Sequence, residues 1–193
     1  MERRLIDQAK AGDLNAFDQL VVRYQNIAFR VAYLTLGDAH EAEDAVQEAF
    51  AKAFLNLGRF ELDAPFRPWL LRIVTNEALN NSRTSRRQSQ LQLRGGYVAE
   101  STSDELLPED AAIARETREQ MIDAMNQLSS QDRALIAQRY LLELSPSEIA
   151  VIWELPPSTV RTRISRAMQR LRSLIHEHGS TSLRPVREDG GGS

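Results

Sequence analysis

The sequence predicts an all-α fold of two small helical domains joined by a flexible linker, and three observations carry that prediction. Apolar residues recur at three- and four-residue steps through most of the chain, without the sustained alternation of a half-buried strand. Asp, Ser, Pro and Gly punctuate these stretches where helices start and stop. The periodicity fails over residues 87–107, which are rich in Gln, Ser and Gly, and resumes after Pro108.

Taken in order, Asp13 caps a first helix whose apolar face runs Phe17, Leu20, Val21, Tyr24, Ile27, Ala28, Val31 and Leu34, ending near Gly37. Asp38 with Glu41 is compatible with a capping box for a second helix. Its stripe of Ala42, Ala45, Val46, Ala49, Phe50, Ala53, Phe54 and Leu57 stops at Gly58. A short loop from Arg59 leads to Pro65, in the first turn of a third helix that buries Phe66, Trp69, Leu70, Ile73 and Val74 and runs to about Arg86. After the linker, Pro108 opens a helix with Ile113, Met121, Met125 and Leu128 as its stripe. Ser129 or Ser130 starts another, with Leu135, Ile136 and Tyr140 facing in. Two more follow, Pro146 to Trp153 and roughly Ser158 to His176. The expected organisation is therefore a domain over 1–86, a linker over 87–107, a domain over 108–176 and an unstructured tail over 177–193.

Composition narrows the function. A net charge of −3 and a pI near 5.7 exclude a uniformly basic nucleic-acid coat, so DNA binding must come from local patches. The chain has no cysteine, which excludes thiol chemistry and cysteine zinc sites. No apolar run approaches membrane-spanning length and the first residues lack a signal peptide's apolar stretch, so the expected location is the cytoplasm. The 22 arginines against two lysines fit a GC-rich genome.

Leu144-Ser145-Pro146-Ser147-Glu148-Ile149-Ala150 combines a serine cap, a proline in the first turn and a glutamate three residues after the cap. The turn Glu154-Leu155-Pro156-Pro157 separates it from a helix beginning Ser158-Thr159-Val160-Arg161. Two short helices around such a turn make a helix-turn-helix, whose second helix enters the major groove. Val160, Ile164, Ala167, Met168, Leu171 and Ile175 share its inner face. Ser158, Thr159, Arg161, Thr162, Ser165 and Arg166 are its candidate DNA contacts, because arginine binds guanine bidentately and hydroxyls reach base edges or phosphates. A basic stripe alone is more often a solvated face; the helix-turn-helix spacing before it turns the balance toward DNA.

In the N-terminal half charge is segregated. Asp38, Glu41, Glu43, Asp44 and Glu48 crowd one helix start with no lysine or arginine among them. The next helix carries Arg67, Arg72, Arg83 and Arg86 against a single acid, Glu77. The acidic helix repels phosphate and better suits a protein, unless it merely complements the helix dipole; the basic one can follow a nucleic-acid backbone. Phe60 and Trp69 beside arginines suit unstacked bases, although Trp69 sits at core spacing. Asn76, Asn80 and Asn81 are mediocre helix formers, so three in six residues suggest a surface selected for hydrogen bonding.

Together these segments resemble the extracytoplasmic-function group of bacterial sigma factors, over roughly residues 1–176. Asp44-Ala45-Val46-Gln47-Glu48-Ala49-Phe50 resembles the segment that grips the clamp helices of the polymerase's largest subunit. Phe66-Arg67-Pro68-Trp69-Leu70-Leu71-Arg72-Ile73 with Asn76 and Asn80 is similar to the promoter-melting, minus-ten-reading segment. Ser147 to Ala150 and Thr159 to Ala167 resemble the minus-thirty-five-reading helix-turn-helix. The resemblance implies Asp44, Gln47 and Glu48 as polymerase contacts, and Phe60, Arg72, Asn76, Asn80 and Arg83 at the minus-ten element. It also implies core RNA polymerase as partner, including the flap of its second-largest subunit, promoter DNA as ligand, and an anti-sigma factor as inhibitor, which could hold the protein at the membrane without insertion. Glu154 departs from the pattern, where glycine or a small polar residue is expected.

A linker of 21 residues has a relaxed span of about 25 Å and a stretched reach near 70 Å, so it cannot fix the spacing of two DNA sites. Something rigid must hold the domains, as a core polymerase would. A stand-alone helix-turn-helix regulator would explain the C-terminal domain but leave the acidic and asparagine-bearing helices without a role. An enzyme finds little support: no phosphate loop or nucleophile motif is present, and His176 with His178 lacks the spacing of a helical metal pair. Neither a cofactor, a catalytic residue nor a metal site is expected.

Overall fold

Four of the helices begin at a residue whose side chain replaces a missing backbone partner, and this fixes where the chain turns. The structure, a computed structural model, describes the backbone of residues 1–85 and 108–181 and the side chains of 1–82 and 115–177. The expected linker and nearly all of the tail lie outside these residues. The helices are α1 (Glu2–Lys10), α2 (Leu14–Leu36), α3 (Ala39–Asn56), α4 (Phe66–Ser85), α5 (Pro108–Gln127), α6 (Ser130–Ile136), α7 (Pro146–Trp153) and α8 (Pro157–Thr181).

Asp13 Oδ1 accepts from the amides of Asn15 and Ala16 at 2.9 and 3.2 Å, starting α2. Gly37 ends that helix with φ 88°, a left-handed conformation that glycine enters without a Cβ clash. Asp38 then caps α3 through the Glu41 amide at 3.0 Å. The inner stripe of α3 includes Ala42, Ala45, Ala49 and Ala53, all fully buried, and these small residues let it lie close against α2 and α4. Helix α1 packs across α2, burying Ile6 and Ala9.

In the C-terminal half, Ser129 caps α6 through the Asp132 amide at 3.1 Å. Ser145 and Glu148 form the expected capping box at the start of α7. Leu135, Leu144, Ile149, Ile152, Val160, Ile164 and Ala167 build the core of α6, α7 and α8.

The structure departs from the sequence expectations at four places. Helix α1 is an addition, legible in hindsight from Ile6 and Ala9 with Glu2 in its first turn and Lys10 in its last. On α5 Met125 and Leu128 are buried as expected, but Ile122 joins them in place of Met121, which is exposed; the side chain of Ile113 lies outside those described. Tyr140 does not face in: it is 52% exposed. Its segment, Ala137–Leu141, winds as a π-turn in which the Leu142 amide bonds the Ala137 carbonyl at 2.9 Å. Bonds to the fifth residue back rotate the register away from the 3.6-residue period that places Tyr140 inside. Finally, the two halves pack on each other, α4 against α7 and α2 against α6, and one cluster of buried residues runs through both.

Candidate nucleic-acid interface

The C-terminal surface is set by the turn between α7 and α8. Glu154 occupies the left-handed region at φ 50° and ψ 44°, closing α7 where glycine would be unstrained. The Leu155 amide reaches the Ala150 carbonyl at 3.0 Å, and Pro157 starts α8, pre-set for a first helical turn. Val160, Ile164, Ala167 and Leu171 are buried against the preceding helices. Arg161, Thr162, Ser165 and Arg166 consequently stand in solvent with Ser158, while Thr159 is half-buried. Thr162 donates back to the Ser158 carbonyl at 3.1 Å, and Arg170 ties α8 to Asp132 of α6 at 2.6 Å.

The N-terminal surface is α4 and the loop before it. Asn76 and Asn80 are exposed and Arg72 is half-buried on the same side. Arg83 lies on α4, but its side chain is outside those described. Glu77, the one acid of this helix, points inward: it is buried and paired with Lys52 of α3. That hydrogen bond, together with the carboxylates of Glu77 and Glu48, raises the Lys52 pKa above its ordinary value and keeps the ammonium charged. The outer face of α4 is therefore left with arginine and asparagine.

Phe60 sits differently from the sequence expectation of a base contact. It is 3% exposed, edge-on to Phe66 with ring centroids 5.4 Å apart and 5.0 Å from Trp69. Aromatic pairs of this kind contribute about 0.5–1.5 kcal/mol each beyond their burial. In this structure its ring belongs to the core beneath the loop, with Trp69 half-buried beside it. Lys10 of α1, which sequence reasoning overlooked, donates to the Phe60 carbonyl at 2.7 Å, and Arg3 lies 3.2 Å from Asp63 further along the same loop.

On α3 the polymerase-facing candidates Asp44, Gln47 and Glu48 are all exposed, opposite buried Ala42, Ala45, Val46 and Ala49.

Residues 20–88 match the Sigma-70 region 2 family and residues 118–171 match Sigma-70, region 4. The chain is 33% identical over 183 residues to the ECF RNA polymerase sigma factor SigW of Bacillus subtilis, covering 92% of this chain and 98% of that one. The chain belongs to the extracytoplasmic-function sigma factors. It is also 35% identical to the ECF RNA polymerase sigma-E factor of Escherichia coli, over 86% of this chain and 89% of that one. Among solved structures it resembles CnrH in complex with the cytosolic domain of CnrY, with a TM-score of 0.65 at 27% identity, covering 91% of this chain and 97% of that one. The fold is shared as well with the sigma factor RpoE of Bartonella quintana, solved with the anti-sigma factor NepR, at a TM-score of 0.59 and 23% identity, covering 84% of this chain and 98% of that one.

As a sigma factor, the protein binds core RNA polymerase and directs it to promoters; the stand-alone regulator is not favoured. The helix-turn-helix lies within its region 4, which also takes in α6 and part of α5, and its region 2 spans most of α2 with α3 and α4. No described helix is long and apolar enough to cross a membrane.

Proposed function

We propose that this sigma factor divides initiation among three surfaces. Asp44, Gln47 and Glu48 of α3 dock on the clamp helices of the polymerase's largest subunit, and the C-terminal domain meets the flap of the second-largest. Ser158, Thr159, Arg161, Thr162, Ser165 and Arg166 read the minus-thirty-five element in the major groove, where the buried face of α8 aims them. Arg72, Asn76, Asn80 and Arg83 read the minus-ten element as it unpairs, beside the loop from Phe60 to Phe66.

The observation that supports this division best is the inward turn of Glu77. It removes the only carboxylate of α4 from the face carrying Arg72, Asn76 and Asn80, leaving donors and acceptors for base edges beside cations for phosphate. Phe60 acts here from below, holding the loop rather than stacking on a base. The protein performs no chemistry itself; bond formation belongs to the polymerase. It works in the cytoplasm, under an anti-sigma factor that is to it what NepR is to RpoE.

Run-off transcription with purified core polymerase on genomic promoter fragments, with and without this protein, tests the reading. Initiation that depends on both components supports it. Tight duplex binding with no effect on initiation would replace it with a stand-alone regulator.

A further inference from the structure

Helix α1 precedes residues 20–88, the stretch that matches Sigma-70 region 2, yet its polar side chains converge on the loop in front of α4. The Lys10 ammonium donates to the Phe60 carbonyl at 2.7 Å, across 50 residues of sequence. Arg3 Nη2 lies 3.2 Å from Asp63 Oδ1 in the same loop. Positions 3 and 10 are two helical turns apart, so they share a face and stand about 10 Å from each other along the axis. Glu2 accepts from the Tyr24 hydroxyl at 2.7 Å, and the Tyr24 ring packs on Phe66 with centroids 5.5 Å apart, at the far end of the loop. Burial, and after it the bond to Glu2, push the Tyr24 phenol up, so it keeps the proton it donates.

Phe60 and Phe66 bury their rings at the two ends of the loop. Between them Glu61, Asp63, Ala64 and Pro65 are exposed and Leu62 is half-buried, with the Ala64 amide bonded to the Glu61 carbonyl at 3.0 Å. A loop that closes on an extruded base binds it better when already held in the bound shape, because less chain is left to order. The Arg3–Asp63 pair is exposed on both sides and contributes little to that holding; it offsets a carboxylate that would repel the strand. The half-buried Lys10 supplies the firmer tie.

We propose that α1 is a splint for the base-reading loop and that Lys10 is its positioning residue. By fixing the Phe60 carbonyl, Lys10 sets the direction in which residues 61–64 meet the extruded base, without touching DNA itself. This role rests on the assignment of the loop and α4 to the minus-ten element. Base preference at one position of that element therefore depends on a helix outside the DNA-contacting surface.

The test uses holoenzyme assembled from core polymerase and the full chain. A promoter fragment transcribed by the wild type is prepared unpaired across the minus-ten element, and each unpaired position is changed in turn to the other three bases. Competition binding gives the preference at every position. Lys10→Met keeps an apolar stem of similar length and leaves the Phe60 carbonyl to water, so the fold is retained, and thermal melting checks this. Lys10→Arg keeps the charge and a donor. Arg4→Met, an equal charge change at an exposed position of the same helix, is the control. Lys10→Met should lower the preference at one position at least fivefold and leave the others within about twofold. Lys10→Arg and the control should behave as the wild type does. Wild-type preferences in Lys10→Met would overturn the proposal. So would equal weakening at every position, which is what a merely structural role produces. A wild-type holoenzyme without base preference on the unpaired template would instead defeat the minus-ten assignment itself, and the splint with it.

Discussion

Arg133 on α6 caps the C-terminal end of α2, donating two hydrogen bonds to the Thr35 carbonyl. The last carbonyls of a helix lack intrahelical partners and carry the negative end of its dipole, so a guanidinium there answers both needs. Supplied from the other half of the protein, this cap makes the stability of α2 depend on how the halves are arranged. Arg133→Met should destabilise the protein by about 1–3 kcal/mol, because a buried carbonyl loses its partner. Urea denaturation of the two proteins side by side checks this; unchanged stability would mean that the contact contributes nothing in solution.

Glu154 carries backbone strain at the turn that sets the angle of the recognition helix. Glu154→Ala and Glu154→Gly both remove the contact with Arg72, but only glycine relieves the left-handed conformation. The glycine variant should be more stable than the alanine variant by about 1 kcal/mol. Thermal melting gives the difference directly, and equal midpoints would show that the turn relaxes.

Reversing Asp44 and Glu48 to lysine should abolish assembly with core polymerase while leaving helical content and melting nearly unchanged. Both side chains are exposed, so the fold has little stake in them. Gel filtration with core enzyme and circular dichroism give the two readouts. Wild-type assembly would reduce the acidic face to solvated surface.

On the recognition helix, Arg161→Ala or Arg166→Ala should cost about 1–3 kcal/mol and relax preference at one base pair where the arginine reads a base. A phosphate contact would instead weaken all sequences alike. Binding of holoenzyme to a set of upstream-element variants distinguishes these, and normal binding by the double variant would exclude this face.

Much of this architecture was readable in the sequence, and for identifiable reasons. Asp13, Gly37, Asp38 and Ser145 act through local geometry, so their residue types announce helix ends wherever they occur. The buried face of α8 followed from spacing alone, and its outward residues followed from that face. Tyr140 was misplaced because a π-turn breaks the period from which its direction was inferred. Helix α1 was passed over because its apolar stripe is short, although Lys10 supports the loop in front of α4. Phe60 illustrates a different limit: an aromatic beside arginines suits a base and a core equally, and only packing with Phe66 and Trp69 decides. The packing of the two halves was invisible, because Arg133 and Gln138 find partners 98 and 63 residues away. No local pattern encodes such a pairing.

The most direct test of the central claim is promoter opening by the Asn76→Ala, Asn80→Ala variant, followed by permanganate footprinting of unpaired thymines. Unpairing costs a few kcal/mol, which the minus-ten surface must recover through contacts made only to the open strand. The variant should therefore assemble with core polymerase normally yet fail to open a duplex promoter. A template already unpaired across the minus-ten element should partly restore its signal. Wild-type opening of the duplex by this variant would contradict the account, and equal defects on both templates would point to lost binding rather than lost melting.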